Sequence, residues 1–229
     1  MKHAMQTVFK SCMRVWRRPS AMRDTFVNIY RTNAWGNDQS RSGPGSTVVR
    51  TAMLRPQLER LLQELEITTL LDAPCGDFNW LKESVLPVQY YVGVDVVPEL
   101  IRNNRRMFSD GQRTFQCMDF TAVKLPRADL ILCRDGLVHL SFTDIFRALE
   151  RFLQSGARYL LTTTFPGHNC NADIATGDWR PLNLQAPPFS WISPLRLLDD
   201  GSPTPEYRHK ALGLWELTPK CKKLKSCKA

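Results

Sequence analysis

The chain has 229 residues, 43% of them apolar, which suffices for the core of one α/β domain with a short extension and excludes overall disorder. Of its 31 Lys and Arg, six lie in residues 1–23 and five in 220–229, where no acid stands, so the body keeps 20 against all 22 acids despite the formal charge of +9. That balance argues against a basic groove for nucleic acid, and no apolar run is long enough to cross a bilayer or serve as the centre of a secretory signal.

Within residues 1–35, Met5, Val8, Phe9, Cys12, Val15 and Trp16 form a helical stripe among basic residues. Three readings stay open: a membrane-surface helix making weak contact, an acid-poor transit peptide, or a helix packed on the domain. Gly36 to Ser46, with Gly43-Pro44-Gly45-Ser46 inside it, is polar and rich in turn formers, which predicts a flexible loop and a candidate lid. Residues 1–46 are thus read as an N-terminal helix and lid-like loop, 47–219 as the main domain and 220–229 as a basic tail.

Leu58, Leu61, Leu62 and Leu65 recur at helical spacing after Pro56 and lead into a strand at 67–72. Strand, glycine turn, helix and strand are expected next, with the second strand at 90–95. Pro98 opens a helix carrying Leu100, Ile101 and Phe108, a crossover to a third strand at 113–118. A fourth strand follows at 128–133. Ser141 with Asp144 forms a capping box for a helix that carries Ile145, Phe146, Leu149 and Phe152 and stops at Gly156. A fifth strand spans 159–165, a proline-punctuated irregular stretch covers 166–194, and a last strand lies at 211–217. The seven cysteines form no Cys-x-x-Cys pair, so they read as reduced hydrophobes of a cytoplasmic protein, and no metal site is expected.

The segment Leu70-Leu71-Asp72-Ala73-Pro74-Cys75-Gly76-Asp77 is an apolar strand ending in an acid and a tight turn, and Asp95 closes the next apolar run 23 positions after Asp72. The turn glycine allows close approach of a ligand, and an acid at the second strand end can accept from two ribose hydroxyls. Together with Asp119-Phe120 after the third strand, these residues resemble class I S-adenosylmethionine-dependent methyltransferases over roughly residues 47–217, and Trp35 to Ser46 and Asp178 to Leu184 are similar to stretches of an uncharacterised bacterial-type subset. The resemblance implies an α/β three-layer sandwich. Its sheet would be Rossmann-like, seven-stranded and mostly parallel with an antiparallel last strand, and S-adenosyl-L-methionine would lie across the strands' carboxyl ends. A nicotinamide-dependent dehydrogenase or epimerase fits less well, because Gly-x-Gly-x-x-Gly is absent and only Gly76 stands in the turn. A catalytically silent cofactor-binding module is the other alternative.

The resemblance assigns Asp72, Ala73, Gly76, Asp95, Asp119, Phe120 and Arg134 to the cofactor, with Asp72 toward the methionyl ammonium, Asp95 on the ribose and Asp119 on the adenine amine. Phe120 either faces the adenine or fills the core. Asp135 and His139 are the catalytic candidates: Asp135 orients an acceptor hydroxyl, or deprotonates it if burial raises its pKa, and His139 has the intrinsic pKa of a base. His168, Trp179 and Arg180 are expected at the acceptor, a small molecule or glycan methylated on oxygen or nitrogen. Asn-Pro-Pro-Tyr is missing after the fourth strand, where Arg134-Asp135-Gly136-Leu137 stands, which argues against a base amine in DNA.

Overall fold

The computed structural model describes residues 21–200, 207 and 209–218. The stripe at 5–16 and the tail at 220–229 lie outside the described residues. Seven strands form one sheet: β1 (Thr69–Asp72), β2 (Tyr90–Asp95), β3 (Arg113–Cys117), β4 (Leu130–Cys133), β5 (Tyr159–Thr164), β6 (Arg196–Asp199) and β7 (Ala211–Glu216). Their order is β3-β2-β1-β4-β5-β7-β6, and only β7 runs against its neighbours. The chain reverses direction across the sheet between β1 and β4, which opens a crevice at their carboxyl ends.

Alternating side chains along the strands feed two apolar layers. Leu71, Ile131 and Leu160 point to one face, where α4 (Phe142–Gln154) packs Ile145, Leu149 and Phe152. Leu70, Leu130, Leu132 and Leu161 point to the other, beneath α2 (Leu54–Glu64) and α3 (Pro98–Phe108). These layers make the expected three-layer sandwich. Ser141 caps α4 as its sequence predicts: its side chain accepts from the Asp144 N–H.

Three features depart from the sequence reading. No helix joins β1 to β2, because Gly76 and Phe78 both take left-handed backbone (φ +53° and +58°) and break any helical run there. Phe78 is held in that unfavourable conformation by burial against Tyr91, Phe108 and Phe115, with ring centroids 5.1 to 5.4 Å away. Second, β6 lies just beyond the irregular stretch; its four residues are mostly exposed and carry no apolar run to betray a strand.

Third, a helix beyond the expected stripe, α1 (Ala21–Thr32), lies on the domain. Its Tyr30 hydroxyl accepts from Asn103 of α3, Arg31 pairs with Glu99, and Met22 belongs to the core. No described helix is long and apolar enough to cross a membrane.

Replacing Ser141 with Ala leaves the Asp144 N–H without its side-chain acceptor, and should lower unfolding free energy by about 1 kcal/mol, read from the urea midpoint at unchanged m-value.

Candidate functional site

The Ala73-to-Gly76 turn is built by hydrogen bonds from three directions. The Cys75 N–H donates to the Val94 carbonyl at 2.9 Å, the Gly76 N–H to Asp95 Oδ2 at 3.2 Å, and Asn104 Nδ2 to the Gly76 carbonyl at 2.8 Å. A Cβ on Gly76 would fall 2.3 Å from Ser42 Oγ, so a glycine is needed here for the approach of a neighbouring loop as well as for the turn. Beside the turn opens a cleft lined by Gly76, Asp95, Val96, Asp119 and Phe120, with Met22, Phe26, Tyr30 and Trp35 from the N-terminal segment opposite.

Asp95 is 7% exposed and accepts from Gly76 and from the Val97 N–H at 3.0 Å. Burial pushes its carboxyl up to about 6, against the pull of those backbone donors, so it is ionised at neutral pH. Asp119 Oδ1 accepts from the Thr121 N–H and hydroxyl at 2.9 and 2.6 Å. Phe120 combines both readings of its role, lining the cleft while stacking on Phe152 at 5.8 Å. Asp72 is placed differently. It is 1% exposed, accepts from the Tyr91 hydroxyl at 2.7 Å and lies outside the cleft lining; burial raises its carboxyl to about 7.

Past β4, four charges interlock. Arg134 donates from Nε and Nη2 to Asp200, from Nη2 also to the Gly45 carbonyl, and its Nη1 lies 3.2 Å from Asp135 Oδ2. Lys210 Nζ reaches Asp135 Oδ2 and Asp200 Oδ2, each at 2.7 Å. Burial alone would raise the Asp135 carboxyl, but Lys210 and Arg134 outweigh it and hold the group well below the usual carboxylate range. This corrects the expectation of a deprotonating Asp135, because a carboxylate so stabilised has no tendency to take a proton.

His139 ends the short 3-10 helix Leu137–His139. Its Nδ1 lies 2.8 Å from the Asp178 carbonyl oxygen, which can only accept, so Nδ1 carries the proton and the neutral ring has its lone pair on Nε2. Burial lowers its pKa, keeping the ring neutral at pH 7. Trp35 stacks on the imidazole at 4.7 Å, and both rings line the cleft and an adjoining recess whose walls include Arg50, Trp179, Tyr207 and the four-charge network.

The remaining candidates separate. Trp179 is 39% exposed on the recess wall. Arg180 is buried and donates to the carbonyls of Leu137, Val138 and Leu140, so its guanidinium braces the 3-10 helix instead of meeting an acceptor; burial lowers it to about 10. His168 is exposed on its loop and lines neither space, its carbonyl accepting from Asn183. Asn171 and Asp173 of the same loop also brace backbone: Asn171 donates to the Asn183, Ala186 and Pro187 carbonyls, and Asp173 accepts from the Phe142 N–H.

The predicted lid is strapped down. Asp77 accepts from the hydroxyls of Ser40 and Ser42 and from the Arg41 N–H, while its own N–H donates to Ser42 Oγ. Asn79 Nδ2 donates to the Ser46 carbonyl at 2.8 Å. Asp77, Trp35, Asp200 and Lys210 escaped the sequence reading; the Ser-x-Ser pair at 40 and 42 was the one local signal for a carboxylate clasp.

Residues 71–161 match a family model described as a methyltransferase domain. Among solved structures, the fold is similar to human N-acetylserotonin methyltransferase in complex with SAM, at 15% identity and a TM-score of 0.59, covering 87% of this chain and 60% of that one. It is similar to the N-methyltransferase NodS from Bradyrhizobium japonicum at 16% identity and a TM-score of 0.55, covering 73% and 96%. It is also similar to magnesium protoporphyrin IX methyltransferase from Synechocystis PCC 6803 with bound SAM, at 12% identity and a TM-score of 0.55, covering 86% and 97%. At such identities the likeness is one of fold. No curated protein matches the sequence.

Asp77→Ala should release residues 40–42. Limited trypsin digestion should then cut after the exposed Arg41 faster than in the parent chain, whereas equal rates would mean that the clasp does not hold the loop.

Proposed function

We propose that the chain, whose residues 71–161 match a methyltransferase domain, is a class I S-adenosylmethionine-dependent methyltransferase that methylates an oxygen or nitrogen of a small molecule or glycan, with His139 as the base. The observation that carries this reading is the position of His139 on the lining of both the cleft and the recess, with Nδ1 committed to the Asp178 carbonyl and Nε2 left as proton acceptor.

The cleft residues suit the cofactor. Asp95 would accept the ribose hydroxyls, the glycine at position 76 leaves room for close approach, and Asp119 would receive the adenine amine beside the Phe120 ring. When bound, S-adenosylmethionine supplies a sulfonium methyl group for in-line displacement by the acceptor. The chain's part is alignment and proton removal. Asp135, paired with Lys210, remains an anion and can orient an acceptor hydroxyl by accepting its hydrogen bond, while Nε2 of His139 takes the proton. Trp35 and α1 cover the cleft and limit water there, which strengthens every polar contact inside. The free thiols of Cys75, Cys117, Cys133 and Cys170 accord with a cytoplasmic setting.

Asp95→Ala should weaken S-adenosylhomocysteine binding by about 1 to 3 kcal/mol in calorimetry, since ribose hydroxyls lose a charged acceptor. Unchanged affinity would remove Asp95 from the site.

His139→Gln should cut turnover while leaving that affinity intact. Because the His139 pKa is lowered, the base is neutral and competent at pH 7, and the parent's rate should fall only on acidification below the ordinary histidine range. The variant should lose this acid limb, and a persisting limb would assign it to another group.

A further inference from the structure

The recess beyond His139 has a lining that narrows the acceptor. Its walls are aromatic: Trp35 stacked on the imidazole, and Trp179 edge-on to Tyr207 at 5.2 Å. Its charged floor is satisfied within itself. Asp200 has a side chain 0% exposed and is bound by Arg134 and Lys210; Arg134 is 4% exposed and spends its other contacts on Gly45 and Asp135. The two cations and two carboxylates cancel. The loop that forms the rim is also committed, since Ser42 bonds Asp77, the Gly43 N–H donates to the Ser40 carbonyl, and the Pro44 carbonyl accepts from Thr47.

Flat aromatic walls beside His139 Nε2 and the Asp135 carboxylate match a flat ring with a polar group on its edge. Resting on the methyl-transfer reading above, we propose that the acceptor is a planar aromatic or heteroaromatic molecule that carries its nucleophilic hydroxyl or amine on the ring edge, and that Trp179 is a specificity-determining residue giving the ring an aromatic contact. The ring enters along Trp179 and Tyr207, and the edge group meets His139 Nε2. In the transfer, the acceptor's oxygen or nitrogen forms a bond to the methyl carbon, the carbon–sulfur bond breaks with its electron pair retained by sulfur, and the acceptor's proton passes to Nε2.

The test uses the full chain, first titrated with S-adenosylhomocysteine and then, saturated with it, titrated calorimetrically with 2-naphthol and with methyl β-glucoside. Saturable binding is expected for 2-naphthol alone. Trp179→Ala should weaken it about tenfold, the worth of one aromatic contact, and Trp179→Phe, which keeps a planar face, by roughly threefold at most. Glucoside binding without naphthol binding, or equal naphthol affinity in the parent and Trp179→Ala, overturns the planar acceptor while methyl transfer stands. Failure to bind S-adenosylhomocysteine at all overturns the methyltransferase reading, and this inference with it.

Discussion

The site depends on the ion network of Arg134, Asp135, Asp200 and Lys210. Its members come from the end of β4, from the residue after β6 and from the residue before β7, and through the Gly45 carbonyl it also holds the N-terminal loop. Burying four charges is costly, and the arrangement is tolerable because each ion has opposite charges in contact and the sum is zero. Removing one member would strand its partners without water. Arg134 also lies over the Trp80 ring at 5.1 Å, so the network is anchored to the turn segment that follows β1. Two of its members, Arg134 and Asp135, line both the cleft and the recess.

A second constraint is how closely the N-terminal loop approaches the glycine turn. Ser42 meets Gly76 at a distance that no Cβ would permit, and Asp77, the next residue, clasps the loop from the same turn. The turn that shapes the cleft thus fastens the segment carrying Trp35 across it. Trp35 then covers His139, and the burial that results keeps the imidazole neutral. A segment that reads as a loose lid is in this way part of the pocket wall.

Most of the architecture was legible because strands buried on both faces are continuous apolar runs, and because Pro98, Ser141 with Asp144, and Gly156 mark helix ends locally. Asp95 was legible for the same reason, as an acid closing such a run. What escaped depends on contacts between distant parts of the chain. The missing helix after β1 reflects an aromatic cluster gathered from β2, β3 and α3 around Phe78, and no local pattern announces it. Asp200 and Lys210 carry no motif; their role arises only when β6 and β7 bring them against Arg134. Arg180 and Asn171 look like ligand-binding residues in a polar loop, but a long segment without secondary structure must satisfy its backbone groups, and these side chains do that work.

Asp135 and His139 show how the fold sets opposite charge states four residues apart. Both are largely withdrawn from water, which disfavours charge on either. Asp135 receives Lys210 and Arg134 in direct contact, and their field overrides burial, so its charge is fixed and its proton affinity is lost. His139 has a neutral carbonyl at Nδ1 and an indole on its face, and Lys210 and Arg180 oppose the pull of Asp135, so burial prevails and the ring stays uncharged with Nε2 open. The charge state of each is set by which neighbour its side chain meets.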